Sequence, residues 1–267
     1  MATGLLDHLI DYAGVFPPAS HTLDEAVRRY REAIAGPHGW ILGPILVRAS
    51  EIDQAPADLP IGVVADVPLD ELPERDGLVQ VERRYHGGAL DPIARQLIES
   101  APIAYLELGD PAPHAAIAAI ADLRQEGLDV RAKIRTGGAS AASFPGVDEV
   151  ADFIETCVAH FVPFKATAGL HHPFRTASVV PEATEHGFIN MLAAVRVALS
   201  EENTSVADCL AETDPTTFDL PTATWREVGA QIDASAVRHV FRSIGSCSFE
   251  EPAGYLLDLG LDLRRAT

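Results

Sequence analysis

Strand-like runs alternate with helical runs along the whole chain, and that alternation limits the possible folds more than any other feature. Strands are expected at 12–16, 40–47, 61–67, 78–84, 103–108, 130–135, 162–168 and 240–245. Helices are expected at 23–35, 91–100, 112–126, 147–160, 186–200, 234–239 and 252–259. The connection at 69–76 is short, and 49–60 is weakly helical at best. Eight strands separated by helices predict an α/β protein, a single (β/α)8 TIM barrel spanning residues 1–267. An open doubly wound sheet is the competing arrangement, but no G-x-G-x-x-G opens a helix. The connection from the seventh to the eighth strand is long. It predicts a lid-like insertion at about 169–232 carrying HHPFR and HGFIN, because active-site insertions sit on βα loops.

The composition excludes several classes of function. The 267 residues carry a net charge of −19, which disfavours nucleic acid and anionic membranes as partners. No apolar run approaches the ~20 residues that span a bilayer. The start, MATGLLDHLIDYAG, lacks the basic and apolar regions of a signal peptide. Three cysteines without metal-like spacing indicate a reducing compartment, so a cytoplasmic protein is expected. Oligomeric state is open, and a homo-oligomer is possible.

Against twenty Lys plus Arg, the chain has only two lysines, Lys133 in RAKIR and Lys165 in VPFKATA. Codon bias accounts for their rarity but not for their placement. Strand residues alternate faces. If Ala132 and Ile134 lie under the helices, then Arg131, Lys133 and Arg135 point into the barrel. The same rule turns Lys165 and Thr167 inward on the seventh strand, Gln80 and Glu82 on the fourth, and Tyr105 and Glu107 on the fifth. A structural ion-pair network could use Arg as well as Lys, since Arg pairs carboxylates better and stays charged. Lysine offers an amine that can lose its proton and attack a carbonyl. Burial beside a second cation favours that neutral form.

Several motifs in this frame resemble those of class I aldolases of the deoxyribose-phosphate aldolase type. Lys133-Ile134-Arg135-Thr136-Gly137 is similar to that family's Schiff-base motif on strand six. Lys165 with Gly169 is similar to its second lysine on strand seven. Ile244-Gly245-Ser246-Cys247-Ser248 resembles its strand-eight turn. Glu82 stands where the family has an acidic residue, and Asp11 lies near its strand-one aspartate. DYAGVFPPAS, FKATAGLHHP and GSCSFEEP also resemble a group of uncharacterised bacterial proteins, which implies no activity. The aldolase resemblance implies a cofactor-independent lyase that makes or breaks a C–C bond through a lysine Schiff base. Its implied nucleophile is Lys133, with Lys165, Glu82 and Asp11 as the other catalytic residues, although exchanged lysine roles stay open. Glu82 is one methylene longer than the family's aspartate.

The expected substrate is a small anionic carbonyl compound. Arg135, Thr136, Thr167, Glu107, His171, His172, His186, Asn190, Gly245 and Ser246 are its candidate contacts. Arg135 can also pair with Glu107. Ser248 and Glu251 form a potential capping box, and Glu250 and Glu251 would repel a phosphate at that helix start. Two readings of His171 and His172 stand: substrate or lid contact, or ligation of a divalent metal such as Zn or Mg together with a glutamate. The metal reading would make the protein a metal-dependent barrel lyase or hydrolase. A third possibility is a barrel that binds a small acid without turnover. Cys247 is read as a small packed side chain, because no histidine base can be assigned to it.

Overall fold

A computed structural model describes residues 4–109, 113–220 and 222–259. The chain closes into a parallel eight-stranded barrel. Its strands are Ile10–Tyr12 (β1), Leu42–Arg48 (β2), Ile61–Val64 (β3), Leu78–Tyr85 (β4), Ala104–Leu108 (β5), Val130–Arg135 (β6), Phe164–Thr167 (β7) and Phe241–Ser246 (β8). Each strand pairs in parallel with its sequence neighbours, and β8 closes the ring onto β1. The (β/α)8 expectation therefore holds.

Helices Leu23–Ala35 (α1), Leu90–Ser100 (α2), His114–Gln125 (α3), Val147–Ala159 (α4), Phe188–Leu199 (α5), Val206–Ala211 (α6), Ala234–Val240 (α7) and Glu250–Asp258 (α8) lie between or after the strands. Two connections contain only 3-10 turns, Ala49–Gln54 and Leu69–Glu71, matching their weak helical signal. The expected start of α3 at Ala112 falls outside the described residues.

Several boundaries differ from expectation, among them those of the first two strands and of the last helix. The first strand is Ile10–Tyr12, earlier than 12–16. Ala13 donates its backbone N–H to Ser246 and Phe16 donates back to Ala13, so the apolar residues after Tyr12 belong to a turn. The shift puts Asp11 inside a strand. β2 begins at Leu42, because Gly39–Ile41 forms a 3-10 turn. The last helix begins at Glu250 instead of 252.

Alternation along the strands sets the inner wall. Ala132, Phe164 and Ala166 are fully buried on the outer side, and the Phe164 ring meets Phe153 of α4 edge-on at 5.2 Å. The intervening lysines consequently face the barrel axis. At Gly43, a Cβ would lie 2.5 Å from Asp11 Oδ1, so a side chain there would push into the inner carboxylate.

The connection from β7 to β8 contains two small antiparallel ribbons, Thr176–Ala177 with Thr184–Glu185 and Phe218–Asp219 with Thr224–Trp225. Between them runs α5, buried from Phe188 through Val197 and packed against α4, α6 and α7. The stretch expected to be a lid at 169–232 thus includes one of the shell helices. Among the described residues no helix is long and apolar enough to cross a membrane.

Candidate active site

Five ionisable side chains meet inside the barrel, and all are nearly or fully buried: Asp11 from β1, Glu82 from β4, Glu107 from β5, Lys133 from β6 and Lys165 from β7. Glu82 joins the two lysines. Its Oε2 accepts from Lys133 Nζ at 2.7 Å, and its Oε1 accepts from Lys165 Nζ at 2.6 Å. Lys165 also donates to Asp11 Oδ2, and Lys133 lies 2.9 Å from Glu107 Oε2. Arg135 donates from Nε to Glu107 Oε1 at 2.9 Å, and its side chain is 45% exposed at the C-terminal end of β6. Three carboxylates are matched by three cations, as burial demands, since an unpaired charge there would cost several kcal/mol.

Neutral donors complete the network. The Gln80 amide donates to Asp11 at 3.1 Å and to Glu82 at 2.9 Å, and the Ser243 hydroxyl donates to Asp11 at 2.9 Å. The Tyr105 ring lies under Lys165, its centroid 5.2 Å from Nζ, while its hydroxyl accepts from Arg131 at 3.0 Å. Alternation predicts the inward faces of Gln80 and Tyr105 directly. Ser243 was not anticipated, but it sits two residues before inward Gly245, so the same rule would have found it.

Electrostatics assign different states to these groups. Burial alone would push the Glu82 carboxyl upward, but Lys133 and Lys165 outweigh it and hold its pKa down at about 2. Glu107 is also lowered, with burial opposed by Lys133 and then Arg135. Burial works against the charge on Lys165, yet Asp11 and Glu82 raise its pKa above the ordinary lysine value. Lys165 is therefore an ammonium at neutral pH.

The other candidate residues lie outside this cluster. Thr136 is fully buried, and its hydroxyl donates to Ala168 O at 2.6 Å, tying the end of β6 to the turn after β7. That turn uses left-handed backbone at Ala168 and Gly169. Thr167 and Gly245 face each other across β7 and β8, with Thr167 Oγ1 2.7 Å from where a Gly245 Cβ would stand. Ser246 donates to Ser248 O at 2.7 Å.

His186 is fully buried. Its Nε2 donates to Pro145 O at 2.8 Å, and Nδ1 accepts from Arg175 at 3.3 Å. Burial pushes its pKa down to about 4, so it is neutral. Asn190 donates to the carbonyls of Cys209 and Glu212 and accepts from the Arg175 N–H. These bonds hold the loop to α6. His171 Nδ1 is 2.9 Å from Glu251, whereas His172 Nε2 is 3.8 Å from Glu185 and its ring packs on Tyr255. The two histidines thus take separate carboxylates. Among the described residues, no group of three or more His, Cys, Asp or Glu side chains is placed to hold a metal ion.

A cleft of about 570 Å³ lies at the opposite, N-terminal end of β4 and β5, lined by Glu74, Arg75, Asp76 and Ser100 among others. It contains neither lysine, histidine nor cysteine, and that end of the architecture serves stability more than chemistry.

The fold defines a (β/α)8-barrel protein, an architecture that commonly carries enzymes. No protein-family model matches the chain, and no curated protein matches it either.

Proposed function

We propose that this barrel is a cofactor-independent lyase of the class I aldolase kind, making or breaking a C–C bond next to a carbonyl through a Schiff base on Lys133. The observation that carries this reading is the Glu82 carboxylate shared between Lys133 and Lys165, with Asp11 behind Lys165. Lys165 is enclosed by carboxylates and stays charged, so it supplies a fixed positive charge rather than the nucleophile. Lys133 lies two residues below the exposed guanidinium of Arg135, on the side from which a substrate arrives.

Arg135 suits a substrate carboxylate, which its planar fork binds in bidentate fashion. Binding there competes with Glu107 for the guanidinium. Glu107 then loses one of its two cationic partners and becomes a stronger acceptor for the Lys133 proton. The neutral amine attacks the substrate carbonyl. Glu82, touching both amines, moves protons as the carbinolamine loses water and as the C–C bond forms or breaks. The substrate class that follows is a small oxo-acid.

The test is a screen of small oxo-acids and aldehydes for condensation or retro-aldol cleavage, with Lys133→Arg as control. A substrate turned over equally by both proteins would refute the assignment.

A further inference from the structure

Among the described residues, Arg84 is the one arginine whose side chain forms no hydrogen bond or ion pair. Every other described arginine side chain is bonded to a carboxylate, a carbonyl or an imidazole. Its sequence neighbour Arg83 donates to Val67 O at 3.0 Å, and Arg48, at the end of β2, is held by Glu51 and by Val15 O. The chain carries 39 acidic residues against 20 Lys plus Arg, so a counter-ion is easily supplied to an arginine. Arg84 has none.

The strand register places this cation. Gln80, Glu82 and Arg84 alternate along β4, so all three face inward, and Arg84 is exposed at the C-terminal end. Its register partner on β5 is Glu107, which is itself opposite Lys133 on β6. Gly109 follows two residues after Glu107, and a Cβ there would lie 3.6 Å from Arg84 Nη2 and 3.7 Å from Nε. The guanidinium thus lies along the rim above Glu107, over a residue with no side chain to cover it. Glu107 does not neutralise it, because that carboxylate already accepts from Arg135 and lies 2.9 Å from Lys133. The inner network balances three carboxylates against three cations, so Arg84 adds a surplus positive charge at the mouth. Solvent can satisfy a lone guanidinium anywhere on a surface. Its place on the inner face, directly above the lysine network, is what points to a ligand.

We propose that Arg84 binds a second carboxylate of the substrate, so that the oxo-acid of the proposed function is a small dicarboxylate. As a substrate class this rests on that reading. Arg135 and Arg84 stand on β6 and β4, the two strands flanking β5, and both reach over β5. Arg135 reaches Glu107, and Arg84 reaches a point two residues, about 7 Å, further along. One molecule lying across the end of β5 presents a carboxylate to each planar fork, which can take it in bidentate fashion. The carboxylate at Arg135 directs the adjacent carbonyl towards Lys133, two residues below. The carboxylate at Arg84 decides which acids are accepted. A monoacid leaves Arg84 to solvent and forgoes that contact. Arg84 touches no reacting atom, so its role is specificity.

The test compares 2-oxoglutarate with 2-oxopentanoate, which has the same carbon chain and a single carboxylate. Half-maximal borohydride trapping at Lys133 should need about tenfold less 2-oxoglutarate than 2-oxopentanoate. Arg84→Gln changes an exposed side chain with no partner to lose, and should erase that preference by weakening the diacid. Glutarate has no carbonyl and cannot form an imine, so its binding by calorimetry tests Arg84 apart from the lyase reading. The unmodified protein should bind glutarate about tenfold or more tightly than Arg84→Gln does. If no oxo-acid is trapped at Lys133, the lyase reading falls, and the glutarate result decides the second-carboxylate site by itself. Equal affinity of the two proteins for glutarate, or no binding by either, would overturn the proposal. So would inorganic phosphate displacing glutarate at a far lower concentration, since the surplus charge would then serve a phosphate.

Discussion

Lys133 and Lys165 stand directly opposite each other in the register of β6 and β7, yet no hydrogen bond joins them. Each donates to a different oxygen of Glu82. Two ammonium groups on adjacent strands would repel one another without that carboxylate. The arrangement makes Glu82 the hinge of the network, and the two lysines are not equivalent because Asp11 belongs to Lys165 alone.

Removing that inequivalence has an unequal cost. Lys165→Met leaves Asp11 and Glu82 buried with one cation fewer and should destabilise the fold by about 3–5 kcal/mol. Lys133→Arg keeps the charge beside Glu82 and Glu107, so its stability should change far less. Its activity should fall by on the order of a thousandfold or more, since no amine remains to add to the carbonyl. Chemical denaturation and turnover of the same samples separate the two effects. Full activity in Lys133→Arg would mean that the network only holds the barrel together.

The gate at Arg135 can be checked through binding. Arg135→Gln should raise KM for an oxo-acid substrate by about tenfold or more while leaving the fold intact, because the side chain is 45% exposed. An uncharged carbonyl substrate should be affected much less. Equal losses for both would remove the role assigned to the guanidinium.

Stability should depend on pH with a definite sign on each side. The Glu82 pKa is lowered from 4.5 to about 2, so its contribution is complete above 4.5 and is lost as pH falls towards 2. His186 is lowered from 6.5 to about 4, so its contribution is present above 6.5 and disappears between 6.5 and 4. Lys165 is raised above 10.5, and its contribution is lost only as pH rises past that value. Melting temperature should therefore begin to fall below about pH 6.5, and His186→Gln should remove the part of that fall above pH 4. An unchanged acid limb in the variant would contradict the neutral, buried assignment.

Asn190 should act on stability rather than binding. Its amide joins Arg175, Cys209 and Glu212. Asn190→Ala orphans those backbone groups and should cost on the order of 3 kcal/mol. A shift in ligand affinity with no change in melting would return the residue to the site.

The barrel and its inner wall were legible because one rule, alternation along a strand, governs both. It turned Glu82, Glu107, Lys133, Arg135 and Lys165 inward, and their hydrogen bonds show that they meet. Boundaries were less legible where apolar residues continue past a strand, as at Val15 and Phe16. The loops were least legible. His186 and Asn190 look like mouth residues beside β7, but their partners come from Pro145, Cys209 and Glu212, which no local pattern links to them.

Reductive trapping tests the central claim most directly. Borohydride added with a small oxo-acid should reduce an imine to a stable secondary amine, and with two lysines in the chain the adduct can be located by peptide mass mapping. The account predicts irreversible loss of activity and a single adduct at Lys133, absent in Lys133→Arg. An adduct confined to Lys165, or none at any lysine with a substrate that is turned over, would contradict it.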